Sequence, residues 1–328
     1  MLPHTRIYVA GHTGLVGSAI VRGLAAYGYT NVITRSHRDL DLTNQDAVRT
    51  FFELCRPEYV FLAAARVGGI IANNNYPADF IADNLEIQNH VLHQAWRCGT
   101  ERLLFLGSSC IYPRSCAQPI REEYLLTGPL EPTNRPYAVA KIAGIETCWA
   151  YNRQHGTRYL AVMPTNLYGP GDNYDLETSH VLPALIRKVH QAKVSGAREV
   201  IIWGTGQPRR EFLYSNDLAE GCIFLMNLPT DEFTALLAPA PNQPPTINIG
   251  CGRDQTILEL AEIVKRVVGY TGSFRLDKSK PDGTPQKLLS VHRMEQLGWR
   301  PQTGLEQGIK LAYGDYIQRT AAMSDVST

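Results

Sequence analysis

The fold is decided by the stretch Ile7-Tyr8-Val9-Ala10-Gly11-His12-Thr13-Gly14-Leu15-Val16-Gly17. Its apolar start, Ile7–Ala10, predicts a strand, and the pattern from Leu15 to Tyr27 predicts an amphipathic helix. The glycines between them permit a tight turn that brings backbone N–H groups to a pyrophosphate at the helix N-terminus. The spacing is G-x-x-G-x-x-G rather than G-x-G-x-x-G. The strand–turn–helix context nevertheless favours dinucleotide binding over a plain glycine turn.

Apolar runs alternate with helical patterns through the first half of the chain. The predicted strands are 31–34, 59–63, 102–106 and 159–163, and the predicted helices are 43–54 with Thr43 as N-cap, 78–97 and 137–155. Such alternation predicts a parallel sheet covered by helices on both faces. The fold class is therefore α/β, a Rossmann-type doubly wound parallel sheet.

The pattern becomes irregular after Pro164. The segments Gly169-Pro170-Gly171 and Thr234–Pro245 are rich in loop-forming residues, and helices are predicted at 180–193, 258–268 and 305–317. We interpret residues 1–168 as a nucleotide-binding domain. Residues 169–328 form mainly a smaller α/β substrate lobe, with some segments returning to the main sheet.

The composition excludes several classes of protein. The 328 residues are 44% hydrophobic and carry a net charge of +1, with the basic residues scattered, which argues against a nucleic-acid surface. No apolar run of about 18 residues occurs, and the N-terminal residues lack a signal-peptide layout. The odd number of cysteines and the lack of a Cys-x-x-Cys pair favour reduced thiols in the cytoplasm and no metal site. They are Cys55, Cys98, Cys110, Cys116, Cys148, Cys222 and Cys251.

The end of the second predicted strand selects between NAD and NADP. An acidic residue there binds the ribose 2′-hydroxyl, whereas the sequence has Thr34-Arg35-Ser36-His37-Arg38. Arg35 and Arg38 can pair with a 2′-phosphate, which favours NADP(H) over the alternative of a solvated basic turn. Asp41 and Leu42, just beyond, are expected to border the adenine.

A tyrosine and a lysine four residues apart, Tyr137 and Lys141, follow the segment Gly107-Ser108-Ser109-Cys110. On a helix this spacing places both side chains on one face, about 6 Å apart at Cβ. A lysine cation favours the phenolate and is expected to lower the tyrosine pKa. Ser108 can hold a substrate oxygen against Tyr137, so the three residues can move a proton at a carbonyl during hydride transfer.

These motifs, with Ala63-Ala64-Ala65 after the third strand, resemble those of an extended short-chain dehydrogenase/reductase. Longer strings resemble the GDP-L-fucose synthase family, from about residue 6 to residue 318. They are Val67–Ile70, Asn73–Phe80, Gly107–Pro113, Met163–Pro170, Ser179–Leu185 and Lys280–Pro285.

The resemblance implies two-stage chemistry on GDP-4-keto-6-deoxy-D-mannose. The sugar is epimerised at C3 and C5 by Cys110 and His180, and the C4 ketone is then reduced with NADPH by Ser108, Tyr137 and Lys141. The resemblance also implies a homodimer through the helices at 78–97 and 137–155. Further cofactor contacts that it implies are Ala64, Leu106, Gly107, Ser109, Pro164, Thr165, Asn166, Leu167 and His180, and substrate contacts are Lys188, Trp203, Arg210 and Asp282.

The chemistry of Cys110 and His180 agrees with this role. Inversion at a carbon needs a proton taken from one face and another delivered to the opposite face, and a thiol and an imidazole can titrate near neutrality with modest tuning. A strand continuing through Cys110 would point it to the same side as Ser108. A helix N-terminus would lower the pKa of His180. An inert buried thiol and an ordinary helix-terminal histidine remain the alternatives, and which residue is the base at each carbon stays open.

Several residues depart from the family pattern. Thr13 and His37 stand where basic residues are common, and Lys188 replaces a substrate-binding arginine, so bidentate pairing is lost. The segments 173–178 and 214–216 also differ. A related GDP-sugar, a 4-keto-3,6-dideoxy sugar or a heptose, is therefore an alternative substrate. A 4,6-dehydratase is disfavoured because no glutamate closely follows Ser109, and a non-catalytic NADP sensor would not need the full set of residues.

Overall fold

The computed structural model describes residues 1–238, 243–280 and 282–325. Part of the predicted loop Thr234–Pro245 and Pro281 of the string Lys280–Pro285 lie outside the described residues. Within the described ranges, no helix combines the length and apolarity needed to cross a membrane.

In the described part of the chain, the strands form one large sheet and two small ones. The large sheet is wholly parallel, with the order β2-β1-β3-β4-β5-β9, and the small sheets are built by β6, β8, β10 and β12 and by β7 and β11. The strands are β1 Ile7–Ala10, β2 Val32–Ile33, β3 Tyr59–Leu62, β4 Arg102–Leu106, β5 Tyr159–Pro164, β6 Asn166–Tyr168, β7 Glu199–Trp203, β8 Arg209–Tyr214, β9 Thr246–Ile249, β10 Asp254–Thr256, β11 Ser273–Asp277 and β12 Gln286–Lys287.

Helices cover both faces of the large sheet and pack on the small ones. They are α1 Leu15–Ala26, α2 Gln45–Cys55, α3 Ile70–Asn75, α4 Pro77–Arg97, α5 Arg135–His155, α6 Val181–Ser195, α7 Ser215–Asn227, α8 Thr230–Leu237, α9 Ile257–Val268, α10 His292–Gln296 and α11 Leu305–Asp325. Among the residues that the structure describes, three short 3₁₀ turns occur, at Ser109–Ile111, Glu122–Tyr124 and Pro132–Asn134.

Side-chain alternation along β1 explains why both faces of the sheet are buried. Ile7 and Val9 point into a core formed with α1, α7 and α8. Tyr8 and Ala10 point into a second core, formed with α2, α4 and α5. A third core lies between the small sheets and α6, α9 and α11. The fold class predicted from the sequence is confirmed.

One local prediction was wrong, and one condition considered in the sequence analysis is not met. Thr43 does not cap α2, because Asn44 is the N-cap and accepts from the Ala47 N–H at 3.0 Å, while the Thr43 hydroxyl donates to Asp41 at 2.7 Å. The strand β4 ends at Leu106 and does not continue through Cys110, which lies in a 3₁₀ turn. Ser108 is the N-cap of that turn, and its hydroxyl accepts from the Cys110 N–H at 3.2 Å, a local hydrogen bond that competes with continuation of the strand.

The sequence analysis missed α7. This helix packs against α1 on one face of the large sheet, although the two helices are far apart in the sequence. Gly23 makes this close approach possible, since a Cβ there would lie 2.8 Å from Cδ1 of Ile223. Through α7 and β9, the second half of the chain therefore completes the first sheet and one of its cores.

Candidate active site

The glycine-rich loop closes tightly at the carboxyl end of β1. Gly11 has φ +81°, and the Gly14 N–H donates to the Gly11 carbonyl at 3.1 Å. A Cβ on Gly17 would clash with that carbonyl oxygen, and one on Gly11 would lie 2.7 Å from the Ala64 backbone. The first turn of α1 holds no acidic residue. The loop is therefore a cradle whose backbone N–H groups and helix N-terminus fit a pyrophosphate.

Beside this cradle lies the basic turn after β2. Arg35 is exposed, donates to the Thr34 carbonyl at 2.7 Å, and places its guanidinium 5.5 Å from the centre of the Phe51 ring. Arg38 is exposed. His12 in the cradle has a buried Nδ1 with no hydrogen-bond partner among the described residues, which leaves it available to a ligand. These groups fit the phosphate-bearing end of NADP.

Asp41 and Leu42 occupy different environments. The Asp41 carboxylate accepts from both the backbone N–H and the hydroxyl of Thr43, and these hydrogen bonds hold its pKa below the ordinary value. The Leu42 side chain is buried in the core against α2 and α4. A contact of Leu42 with the adenine would therefore have to come from its backbone.

Tyr137 and Lys141 lie together on α5, and Lys141 is almost fully buried. Its ammonium donates to the Leu106 carbonyl at 2.8 Å and lies 6.0 Å from the centre of the Tyr137 ring. Phe80 packs edge-on against Tyr137, with ring centres 6.3 Å apart. The strand end of β4 and the first turns of α5 thus bring Ser108, Tyr137 and Lys141 into one cleft.

Burial dominates the protonation of this pair. It raises the pKa of Tyr137 far above the ordinary value, with a smaller upward effect of Cys110 and a downward effect of the hydrogen bond with Ser108. Burial also lowers the pKa of Lys141 to about 7. The expected lowering of the Tyr137 pKa was wrong, because burial of the phenol raises its pKa and Lys141 is itself desolvated and directed at the Leu106 carbonyl. A protonated phenol at neutral pH is suited to donate a proton.

The Cys110 thiol faces the same cleft. Its sulfur accepts from Nδ2 of Asn134 at 3.2 Å and lies 3.8 Å from Nζ of Lys287, while its N–H donates to the Ser108 hydroxyl at 3.2 Å. Arg210 and Tyr137 also lie within electrostatic range of Cys110. The turn at Ser109–Ile111 therefore places a thiol between the main sheet and the β8–β12 pair.

His180 stands at the N-cap position of α6 without capping through its side chain. Its ring keeps access to solvent, yet the surrounding protein desolvates it and lowers its pKa, which favours the neutral imidazole. The preceding residues are tethered, since the Gly69 N–H donates to the Thr178 carbonyl at 3.0 Å. A Cβ on Gly69 would lie 2.9 Å from the Ser179 carbonyl oxygen. The loop after β3 thus holds the segment that carries His180.

Trp203 projects from the end of β7 and is 51% exposed. Two ammonium groups lie over its ring, Nζ of Lys188 at 4.9 Å and Nζ of Lys280 at 5.5 Å from the ring centre. An indole with this exposure is not part of the hydrophobic core. The aromatic face and the two cations together suit a ligand that combines a planar ring with phosphate.

Arg210 and Asp282 flank the loop before β12. Arg210 donates through Nη1 to the carbonyl of Thr284 at 2.6 Å, and burial lowers its pKa. Asp282 accepts from the N–H of Thr205 at 2.9 Å and from its hydroxyl at 2.7 Å, and these bonds lower its pKa. Asp282 therefore ties its loop to the turn after β7.

The remaining predicted cofactor contacts lie at the carboxyl ends of the central strands, where open α/β sheets bind ligands. Thr165 and Asn166 both donate to the Glu211 carbonyl, at 3.2 and 2.8 Å, which joins the end of β5 to β8. The predicted contacts lie at or just after the ends of β3, β4 or β5, and they are Ala64, Leu106, Gly107, Ser109, Pro164, Thr165, Asn166 and Leu167.

Asn134 and Lys287 are contacts of Cys110 that the sequence analysis missed. Asn134 lies 24 positions and Lys287 177 positions from Cys110 in sequence. No local spacing marks either residue. The only signal was the position of Asn134 just before a helix, which indicates a cap rather than a sulfur contact.

The fold and the site define a nucleotide-binding enzyme of the short-chain dehydrogenase/reductase type. The family model described as the NAD dependent epimerase/dehydratase family matches residues 7–250, and the chain belongs to this family. GDP-L-fucose synthase 1 of Arabidopsis thaliana is 54% identical over 95% of this chain and 93% of the relative. The resemblance inferred from the sequence is thereby confirmed.

Two solved structures are also similar. A GDP-6-OMe-4-keto-L-xylo-heptose reductase from C. jejuni is 37% identical, with a TM-score of 0.92 over 97% of this chain and 99% of that one. A GDP-L-fucose synthetase from Naegleria fowleri bound to NADP is 28% identical, with a TM-score of 0.86 over 98% of this chain and 96% of that one.

Proposed function

We propose that the protein converts GDP-4-keto-6-deoxy-D-mannose into GDP-L-fucose by epimerisation at C3 and C5 and NADPH-dependent reduction at C4. The observation that carries this proposal is the Cys110 thiol within the cleft of Ser108 and Tyr137. A plain reductase needs no acid–base group there. The 54% identity to a GDP-L-fucose synthase supports the choice of sugar.

Epimerisation begins with removal of a proton from a carbon next to the ketone. The electron pair of the broken C–H bond moves to the ketone oxygen, and Ser108 and Tyr137 donate hydrogen bonds to this enolate oxygen. Cys110 and His180 act as the acid–base groups, one on each face, so that reprotonation from the opposite face inverts the carbon. The neutral imidazole of His180 can accept a proton, and a thiol can deliver one.

NADPH, when bound, would supply the hydride that the C4 carbon receives. Tyr137, which burial keeps protonated, donates its proton to the C4 oxygen as the alcohol forms. Lys141 holds the helix against the Leu106 carbonyl, and because burial lowers its pKa to about 7 it gains or loses its proton near neutral pH. The glycine cradle would hold the pyrophosphate, and Arg35 and Arg38 the 2′-phosphate. Residues 1–168 bind mainly the cofactor and residues 169–328 mainly the substrate.

The GDP end of the substrate would lie across the second lobe. Trp203 with Lys188 offers a ring and a cation, and Arg210 offers a partly desolvated guanidinium for the diphosphate. Asp282 keeps the loop beside Arg210 in place. Because Lys188 is a point charge, this site binds phosphate with less geometric specificity than a forked guanidinium would.

A reaction in D₂O tests this function. The protein is incubated with GDP-4-keto-6-deoxy-D-mannose and NADPH, and the product is examined by NMR. Deuterium at both C3 and C5 with an L-galacto product is the expected result. Deuterium at one centre, or reduction without exchange, would overturn the assignment in favour of a related sugar or a plain reductase.

A second candidate is epimerisation and reduction of a related GDP-4-keto sugar. Its support is Lys188 over the Trp203 ring and the similarity to a heptose reductase, at the lower identity of 37%. Turnover of a GDP-4-keto-heptose at a higher kcat/KM than the 6-deoxy sugar would favour it.

Homodimer formation in the cytoplasm completes the proposal. The α4 and α5 surface carries an apolar patch where Val139 is 41% exposed, and such patches are typical of interfaces. Its lining residues are Pro77, Ala78, Ile81, Arg135, Pro136 and Val139. The free cysteines suit a reducing compartment. Sedimentation of a Val139→Glu variant, which should be monomeric, tests the interface.

A further inference from the structure

Asn134 occupies the N-cap position of α5 but its side chain makes no cap hydrogen bond. An N-cap asparagine ordinarily accepts from the N–H of the second or third helical residue. Here the second residue is Pro136, which has no N–H. Asn44, the N-cap of α2, shows the ordinary behaviour, because its Oδ1 accepts from the Ala47 N–H at 3.0 Å. The Asn134 side chain instead makes a contact outside the helix, through its Nδ2.

That contact is the sulfur of Cys110, 3.2 Å from Nδ2 of Asn134. The charged and titratable groups that face the same sulfur are Lys287 from β12, Arg210 from β8 and Tyr137 from α5. An amide N–H and two cations surround the sulfur. N–H donors and cations stabilise a thiolate relative to a thiol.

The other end of the Asn134 amide gives an independent indication. Its Oδ1 is buried and has no hydrogen-bond partner among the described residues. Burying an unpaired carbonyl oxygen is unfavourable, so an asparagine that only filled space would be replaced by an apolar residue at little loss. The segment α3, which follows the loop that tethers the residues before His180, packs against the turn Pro132–Asn134. Asn134 thus lies where the supports of both proposed acid–base groups meet.

We propose that Asn134 is a positioning residue for Cys110, whose amide directs the sulfur into the cleft and stabilises its thiolate form. It acts through Cys110 and does not touch the sugar. The S–H bond of Cys110 forms as a sugar C–H bond breaks, or the reverse, with the electron pair held on the C4 oxygen between the two steps. This part of the inference rests on the proposed function, whereas the coupling of Asn134 to the thiolate does not.

Alkylation of the free enzyme by iodoacetamide at pH 7 tests the coupling. The tryptic peptide 103–114 contains Cys110 and no other cysteine, so mass spectrometry reads its rate alone. Asn134→Asp keeps a residue that caps helices well, removes the N–H donor and adds a negative charge beside the sulfur. We expect Asn134→Asp to slow alkylation of Cys110 by about tenfold or more and Asn134→Ala by about threefold, in line with the loss of a charge-assisted hydrogen bond.

The matched controls are Asn44→Asp and Asn44→Ala, which change a true N-cap away from the cleft. Asn44→Ala should lower the melting temperature and leave Cys110 alkylation unchanged. Asn134→Ala should slow Cys110 alkylation and leave the melting temperature unchanged. Alkylation of Asn134→Asp at the wild-type rate would overturn the proposal. If Asn134→Asp does not fold, as judged by NADPH binding, the rate of Cys110 alkylation in Asn134→Ala is used instead. A wild-type rate in that variant would then overturn the proposal.

Solvent deuterium exchange separates this inference from the proposed function. If Cys110→Ser retains exchange at C3 and C5, the assigned role of Cys110 fails, but slowed alkylation in Asn134→Asp still supports the coupling. If Cys110→Ser abolishes exchange while Asn134→Asp exchanges at the wild-type rate, the positioning role of Asn134 is wrong.

Discussion

The ammonium of Lys141 lies 6.0 Å from the ring centre of Tyr137 and donates to the carbonyl oxygen of Leu106 at 2.8 Å. The lysine therefore joins α5 to the end of β4 as well as placing a charge beside the phenol. The Phe105 ring is a further neighbour of its ammonium, with the ring centre 4.7 Å away. Because these surroundings desolvate Lys141, the protonation of this pair is set by burial as much as by mutual attraction.

Replacing Tyr137 by phenylalanine should abolish the proton donor with little change in shape. We expect NADPH oxidation in a single turnover to slow by about 10²–10⁴-fold, the usual contribution of a general acid. NADPH binding should persist. Tyr151→Phe is the matched control, since Tyr151 lies on the same helix and bonds to Nδ1 of His93 at 2.8 Å. An equal loss in both variants would show that helix packing, not proton donation, had been measured.

Lys141 should make stability depend on pH. Its pKa is about 7 in the folded protein against an ordinary value of 10.5, so between these values the unfolded state binds the extra proton. Stability from this group therefore rises with pH above 7, and the penalty of burying the charge is complete below 7. Relative to Lys141→Met, the wild-type protein should gain about 2–3 kcal/mol in the free energy of unfolding between pH 7 and pH 9. Urea denaturation at both pH values measures this difference, and parallel pH profiles would contradict it.

The sequence predicted best what depends on local pattern. The strands Ile7–Ala10 and Arg102–Leu106 were predicted with the bounds that the structure has, because buried parallel strands are short continuous apolar runs. The glycine loop was recognisable because its backbone geometry admits little else at Gly11 and Gly17. The Thr43 cap failed because Asn44, one residue later, is an equally good cap and Asp41 engages Thr43.

The sequence could not predict side-chain contacts between residues that are far apart along the chain. The expectation for the Tyr137 pKa treated Lys141 as a solvated cation, whereas its burial depends on the packing of α5 against β4. The neighbours Asn134 and Lys287 reach Cys110 from other elements. Such juxtapositions follow from tertiary packing and leave no periodicity in the chain.

Asp172 offers a pH effect of opposite sign. Burial raises its pKa to about 7 from an ordinary value of 3.8, and its Oδ2 has no partner among the described residues. The folded state therefore holds a proton that the unfolded state loses, and stability falls as pH rises from about 4 to about 7. Asp172→Asn should raise the free energy of unfolding by about 2–4 kcal/mol at pH 8 and by much less at pH 4. Thermal unfolding that is shifted equally at both pH values would contradict this assignment.

Arg38 should contribute to the preference for NADPH over NADH. It is exposed in the turn after β2, beside the cradle for the pyrophosphate. Arg38→Ala should weaken NADPH binding about tenfold and leave NADH binding unchanged, because only NADPH carries the 2′-phosphate with which the Arg38 guanidinium would pair. Fluorescence titration with both cofactors measures the ratio. Arg49→Ala, which removes a surface ion pair with Asp46 on the next helix, should change neither affinity.

Gly17 tests whether steric fit in the cradle outweighs helix propensity. Alanine is better than glycine inside a helix by about 1 kcal/mol, so propensity alone predicts that Gly17→Ala stabilises α1. A Cβ at Gly17 would, however, clash with the Gly11 carbonyl, which is backbone and cannot turn aside. We expect a net destabilisation of about 1–3 kcal/mol and loss of NADPH binding, because the loop must open to admit the methyl group. Gly314→Ala in α11, where nothing lies within 4 Å of the added Cβ, should be neutral or stabilising and bind NADPH normally. If Gly17→Ala behaved like Gly314→Ala, the tight closure of the loop on Gly11 would not be what shapes the cofactor site.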